Sequence, residues 1–148
     1  MTLPRSKVTT TVRILLGAMF LLSGANGFFH FMPMPPMSAR AMEMLGALGA
    51  AGYFIPLLKG IEIVAAGMLL SGRFVPLGLT ILAPIVVNVV AFHAALAPEG
   101  VAIPLLLAAA EAYLGWSYRD VFAPILRARS MSEPAARATL DANLVAAR

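Results

Sequence analysis

Long apolar runs broken by short polar or proline-glycine interruptions dominate the chain from Val12 onward. Four stretches stand out: Val12 to Phe31, Tyr53 to Ser71, Phe74 to Leu96 and Val101 to Tyr118. Crossing roughly 30 Å of bilayer hydrocarbon takes about 20 helical residues. A lone strand in lipid would leave its backbone N–H and C=O groups unpaired, so each run predicts a helix. The interruptions differ in kind. Gly72-Arg73 allows only a tight hairpin, and Ala97-Pro98-Glu99-Gly100 only a short turn. The connection from Met32 to Gly52 is longer. It opens with Met32-Pro-Met-Pro-Pro-Met37, which resists helix because each proline restricts itself and the residue before it. Ser38 is then placed to cap a short helix from Ala39 to about Leu48, with Met42, Leu45 and Leu48 on one face. Such a helix lies at the membrane interface or folds over the bundle mouth.

The expected fold is therefore an all-α membrane protein. A four-helix transmembrane bundle occupies residues 12–126, with a short interfacial helix in its first extracytoplasmic loop. A segment over 1–11 precedes it and a polar tail over 127–148 follows. In the tail, Ser132-Glu133-Pro134 reads as a helix start and Leu140, Leu144 and Val145 as a weak apolar stripe. The sequence leaves open whether the tail is a surface helix or unfolded.

Composition agrees with lipid as the main partner. Of 148 residues, 60% are hydrophobic and 12% charged, against roughly 45–50% and about 25% in soluble domains. The absence of cysteine excludes disulfides, thiolate metal sites and thiol exchange by this chain. A net charge of +4 does not mark a nucleic-acid binder, because the charges lie between and beyond the apolar runs. They report orientation instead. Arg5, Lys7, Arg13, Arg73, Arg119, Arg127, Arg129, Arg137 and Arg148 fall on one side, and only Arg40 on the other. That asymmetry puts both termini in the cytoplasm. Arg5, Lys7 and Arg13 ahead of Ile14 to Leu22 look like a signal peptide. The apolar character continues through Phe28, Phe29 and Phe31, however, and makes a full span.

An internal repeat is visible. Gly52-Tyr-Phe-Ile-Pro-Leu-Leu58 opens the second span and Gly100-Val-Ala-Ile-Pro-Leu-Leu106 the fourth. The preceding helices carry Asn26 with Phe29-His30 and Asn88 with Phe92-His93. The pattern predicts two parallel-repeat hairpins related by an axis along the membrane normal.

Candidate chemistry lies in the polar residues inside the spans: Ser23, Asn26, His30, Lys59, Glu62, Asn88, His93 and Glu111. A central charge costs about 2.5–3.5 kcal/mol on insertion scales, so such groups should face the interior and find one another. A rise of about 1.5 Å per residue places them in the middle or outer half of the spans, which predicts a polar pocket toward the exterior. Lys59 and Glu62, three residues apart, share a helix face and read as a charged pair. That pair either handles a proton or simply neutralises two costly charges. Glu111 has no basic neighbour on its own helix, unless Lys59 bridges it to Glu62. His30 and His93 fall at similar heights, and imidazole with carboxylate suits zinc or iron. No HxxxH or ExxH spacing supports a site, so no bound metal is expected. Asn26 and Asn88 are expected to knit helices together, with Gly17, Ser23, Gly24, Gly27, Gly60 and Gly67 allowing close approach. Met32, Met34 and Met37 would line a flexible entrance, and Tyr113, Trp116 and Tyr118 an aromatic belt at the cytoplasmic boundary.

Several of these motifs carry a family resemblance. They are Gly17-Ala-Met-Phe20 followed by Ser23-Gly24, Asn26-Gly-Phe-Phe-His30, Lys59-Gly-Ile-Glu62, Ala83-Pro-Ile-Val-Val-Asn88 leading to Phe92-His93, and Glu111 with the aromatics after it. Over Val12 to Leu126 the chain resembles the DoxX family of small four-span bacterial membrane proteins. The resemblance implies a four-helix bundle in the bacterial inner membrane and a link to redox or oxidative-stress chemistry. A distant relative of the family is the membrane subunit of a thiosulfate–quinone oxidoreductase. By that similarity the pocket of Asn26, His30, Lys59, Glu62, Asn88, His93 and Glu111 would take a quinone or another small amphipathic molecule, and a soluble or membrane redox enzyme would be the partner. Lys59, Glu62 and His93 would hold its oxygens, and Glu111 would handle protons. A thiol-dependent role is excluded for this subunit. Two other readings stay open. One is a non-catalytic scaffold or assembly partner. The other is a small transporter or metal-handling protein, which with four spans would need a homodimer.

Overall fold

The computed structural model describes residues 6–33 and 35–124. Arg5, Met34 and the tail helix expected after Ser132 lie outside the described residues. Every regular element among the described residues is helical: α1 (Lys7–Phe29), α2 (Ala39–Ala50), α3 (Phe54–Ser71), α4 (Val75–Leu96), α5 (Ala102–Ser117) and α6 (Arg119–Phe122). A single 3-10 turn, Pro98–Gly100, precedes α5. The chain divides into two compact units, Met1–Tyr118 and Arg119–Arg148, and α6 is the described element of the second.

Three helices, α1, α3 and α4, are long and apolar enough to cross a membrane. α1 begins five residues before the apolar run because Ser6 caps it, its Oγ accepting from the Val8 N–H at 3.3 Å. It ends where His30 turns left-handed at φ 51° and donates its N–H to the Asn26 carbonyl. α3 and α4 keep the expected bounds to within one residue. α5 has 16 residues, about 24 Å at 1.5 Å per residue. It is one residue shorter than the expected span at each end, because Val101 ends the 3-10 turn and Tyr118 leaves helical geometry.

Within the first unit, α1 packs along α3, α3 against α4, α4 against α5, and α5 returns to α1. The α1–α3 seam is the most extensive, and glycine is the reason. A Cβ on Gly24 would stand 2.6 Å from Ile63 Cγ1 and 3.0 Å from the Lys59 carbonyl oxygen. A Cβ on Gly27 would overlap the Lys59 stem, and one on Gly17 would press on Leu69 and Leu70. Gly60 and Gly67, expected to serve the same purpose, meet open space. A helix shows one face to a given neighbour, and these two share the opposite, exposed face of α3 with Leu57 and Val64. Leu16, Phe20, Ala65, Ala66, Leu69, Leu82 and Leu114 fill the interior.

Polar ties close the ends. The Arg13 guanidinium donates to the Leu69 carbonyl and, at 3.3 Å, to that of Leu70, so a cation caps the C-terminus of α3. The hairpin that follows uses two left-handed residues, Gly72 at φ 70° and Phe74 at φ 57°. The Thr9 and Tyr113 hydroxyls hydrogen-bond at 3.2 Å between α1 and α5. Ser38 caps α2 as expected, accepting from the Ala41 N–H, and also donates to the Leu96 carbonyl at 2.6 Å. One hydroxyl thus fastens α2 to the end of α4. The packed face of α2 carries Ala41, Leu45 and Leu48. Met42, expected there, is exposed, because the buried Ala41 takes the position nearest the bundle. Of the expected aromatic belt, Trp116 is exposed, Tyr113 is partly exposed with its hydroxyl turned in to Thr9, and Tyr118 is 2% exposed and belongs to the core.

Candidate functional site

The best-formed polar site is a groove of about 360 Å³ on the α1–α3 seam, floored by Met19, Leu22 and Ile55 and edged by Ser23, Asn26, His30 and Lys59. Its position follows from the helix period. Ser23, Asn26 and His30 lie at spacings of three and four on α1, one face of that helix. Gly27 brings the Lys59 stem across this face.

Lys59 is the centre of the site. Its ammonium donates to Ser23 Oγ at 3.0 Å and to both carboxylate oxygens of Glu62, each at 3.0 Å. The Lys59 side chain is 21% exposed and that of Glu62 3%. The carboxylate is thus sealed behind the ammonium, which alone faces the groove. The pair cancels its own charge, so it adds no net charge to the groove wall. Ser23, missing from the candidate pocket set, supplies the third contact. Its place three residues before Asn26 is the signal that could have found it.

The seven candidates divide. Asn26, His30 and Lys59 line the groove, and Glu62 stands behind Lys59. Asn26 makes no hydrogen bond to another helix among the described residues: its Oδ1 accepts from the Met32 N–H at 2.6 Å and folds back the segment leaving α1. Met32 accordingly lines the groove. His30 is exposed at the end of α1. His93 lies elsewhere, its Nδ1–H donating to the Val89 carbonyl at 2.9 Å and its ring edge-on to Phe92. A Cβ on Gly100 would sit 3.0 Å from that ring, so the glycine lets the turn fold over His93. Glu111 is 9% exposed, and its Oε1 has no hydrogen-bond partner among the described residues. Lys59 does not bridge it to Glu62, because all the ammonium's contacts are to Ser23 and Glu62. Asn88 is exposed on the outer side of α4.

Among the described residues, no three His, Asp or Glu side chains gather where they could hold one metal ion. A second groove, apolar and of about 570 Å³, lies around Gly60 and Ile81 between α3 and α4, and none of the seven candidates lines it. No family model, curated protein or solved structure matches the chain.

Proposed function

We propose that the chain is a DoxX-like inner-membrane protein whose α1–α3 groove binds a neutral, small amphipathic molecule of the quinone class for a membrane redox partner. α1, α3 and α4 cross the bilayer, and α5 with its flanking residues makes the fourth span, with the termini on the cytoplasmic side. The excess of Lys and Arg on that side supports the orientation.

One observation carries the ligand reading: an ammonium neutralised by a buried carboxylate joins uncharged polar side chains along one edge of a groove with an apolar floor. A charged ligand would gain little from a pair that is already balanced. A carbonyl oxygen gains donors from the Asn26 amide and from the Ser23 hydroxyl, whose oxygen Lys59 holds in place, while Met19, Leu22 and Ile55 suit an apolar body. The groove volume lies within the roughly 300–1,000 Å³ of ordinary ligand pockets. Glu62, hydrogen-bonded to the ammonium, is placed to take or return a proton through Lys59. Glu111 and His93 have no hydrogen-bonded link to the groove and are left out of this role.

Titration of a short-chain quinone into the detergent-solubilised protein, followed by calorimetry, tests the reading. The charge-free double variant Lys59→Met/Glu62→Leu should remain folded and lose binding. Undiminished affinity in that variant removes the proposed role. A second reading draws on the same cluster: Ser23, Lys59 and Glu62 satisfy one another completely, as in a scaffold whose polar groups serve only packing. A scaffold would keep its partner in the double variant.

A further inference from the structure

The outward faces of the long helices are not alike. α1 presents Ile14, Leu15 and Leu21, and α3 presents Leu57, Ile61 and Val64, all suited to acyl chains. α4 presents Asn88, about 4 Å from the helix midpoint at 1.5 Å per residue. Its carboxamide is exposed and hydrogen-bonds to none of the described residues. A carboxamide near the centre of the most apolar span thus points away from its own bundle. Hydrocarbon offers it no partner, and leaving it bare is costly. On the same face Ala91 is small and Val87 stands exposed beside it, so the surface around the carboxamide is otherwise apolar.

We infer that this face of α4, centred on Asn88, is the contact surface for a second copy of the chain. A carboxamide is both donor and acceptor, so two of them related by a two-fold axis satisfy each other. A copy inserted in the same orientation carries its Asn88 at the same depth by necessity. A different protein would need a polar group placed at that level separately. The uncharged stripe puts no repulsion across such an axis. The inference rests on α4 spanning the bilayer, but not on what the α1–α3 groove binds.

The chain has no cysteine, so single cysteines report cleanly. In membranes treated with copper phenanthroline, Asn88→Cys should yield a disulfide-linked dimer on non-reducing gels. Ala91→Cys, on the same face, should do likewise if Asn88→Cys fails to accumulate. Val64→Cys, on the outward face of α3, should stay monomeric. Asn88→Ala should raise the dimer dissociation constant in mild detergent roughly threefold to thirtyfold, the range measured for interhelical hydrogen bonds in membranes. Crosslinking through Val64→Cys instead overturns the proposal, as does a monomeric mass for the native chain in both detergent and membranes. A chain missing from the membrane fraction overturns the spanning topology as well, whereas a membrane-embedded monomer overturns this inference alone.

Discussion

The hairpins α1–α3 and α4–α5 begin their second helices alike and pack differently. Pro56 and Pro104 are each the third helical residue, where the missing N–H has no intrahelical partner to lose. Beyond that point the two diverge. Aligning Asn26 with Asn88 sets Gly17, Gly24 and Gly27 opposite Leu79, Val86 and Val89. Aligning Pro56 with Pro104 sets Lys59 and Glu62 opposite Leu107 and Ala110. In the first hairpin the glycines let a lysine stem cross α1 and its ammonium reach Ser23 and Glu62. In the second the seam is filled by side chains, Asn88 turns outward, and Glu111 Oε1 stays unpartnered. The lesson is that polar residues in apolar helices pair where small residues let backbones approach, and otherwise look outside their own hairpin.

The largest effect that would break this contrast is expected at Lys59. Lys59→Met leaves the buried Glu62 carboxylate without its cation and should cost about 3–5 kcal/mol, most of it recovered in Lys59→Met/Glu62→Leu. Denaturant unfolding in one detergent measures both, and equal stabilities for the single and double variants would show that the pair is not coupled. Gly24→Val comes next. Its branched side chain must displace Ile63 and the Lys59 backbone, an overpacking cost of roughly 1–3 kcal/mol. Gly67→Ala, with nothing within 4 Å, should be neutral or slightly stabilising by the same assay. Similar losses at both positions would deny the seam its special closeness. The smallest effect belongs to Glu111→Gln. With no hydrogen bond to lose at Oε1, stability should change by less than about 1 kcal/mol. A loss as large as that of Lys59→Met would reveal a partner for Glu111 and erase the difference between the hairpins.

Much of the fold was legible because it depends on local causes. The bounds of α3 and α4 follow from run length and the Gly72 turn, and α2 starts where Ser38 can cap it. The Lys59–Glu62 pair follows from a spacing of three on one helix. What stayed hidden depends on how each helix is rotated about its axis. Asn88 is expected inside and is exposed, Gly60 and Gly67 are expected at helix contacts and meet none, Met42 is expected on the face of Leu45 and Leu48 and is exposed, and Tyr118 is expected at a boundary and is buried. Periodicity cannot set that rotation when residues around the whole helix are apolar, because no polar face marks the outside.

From the chain alone came the helical state, the count of apolar runs, the Ser38 cap and the ion pair. Each is decided within a few residues by backbone hydrogen bonding or by charge at helical spacing. Tertiary structure alone decided that Asn26, His30 and Lys59 share a groove while Asn88, His93 and Glu111 do not. That choice is made by the distance between helices, set where Gly24 and Gly27 leave room for Lys59 and Ile63.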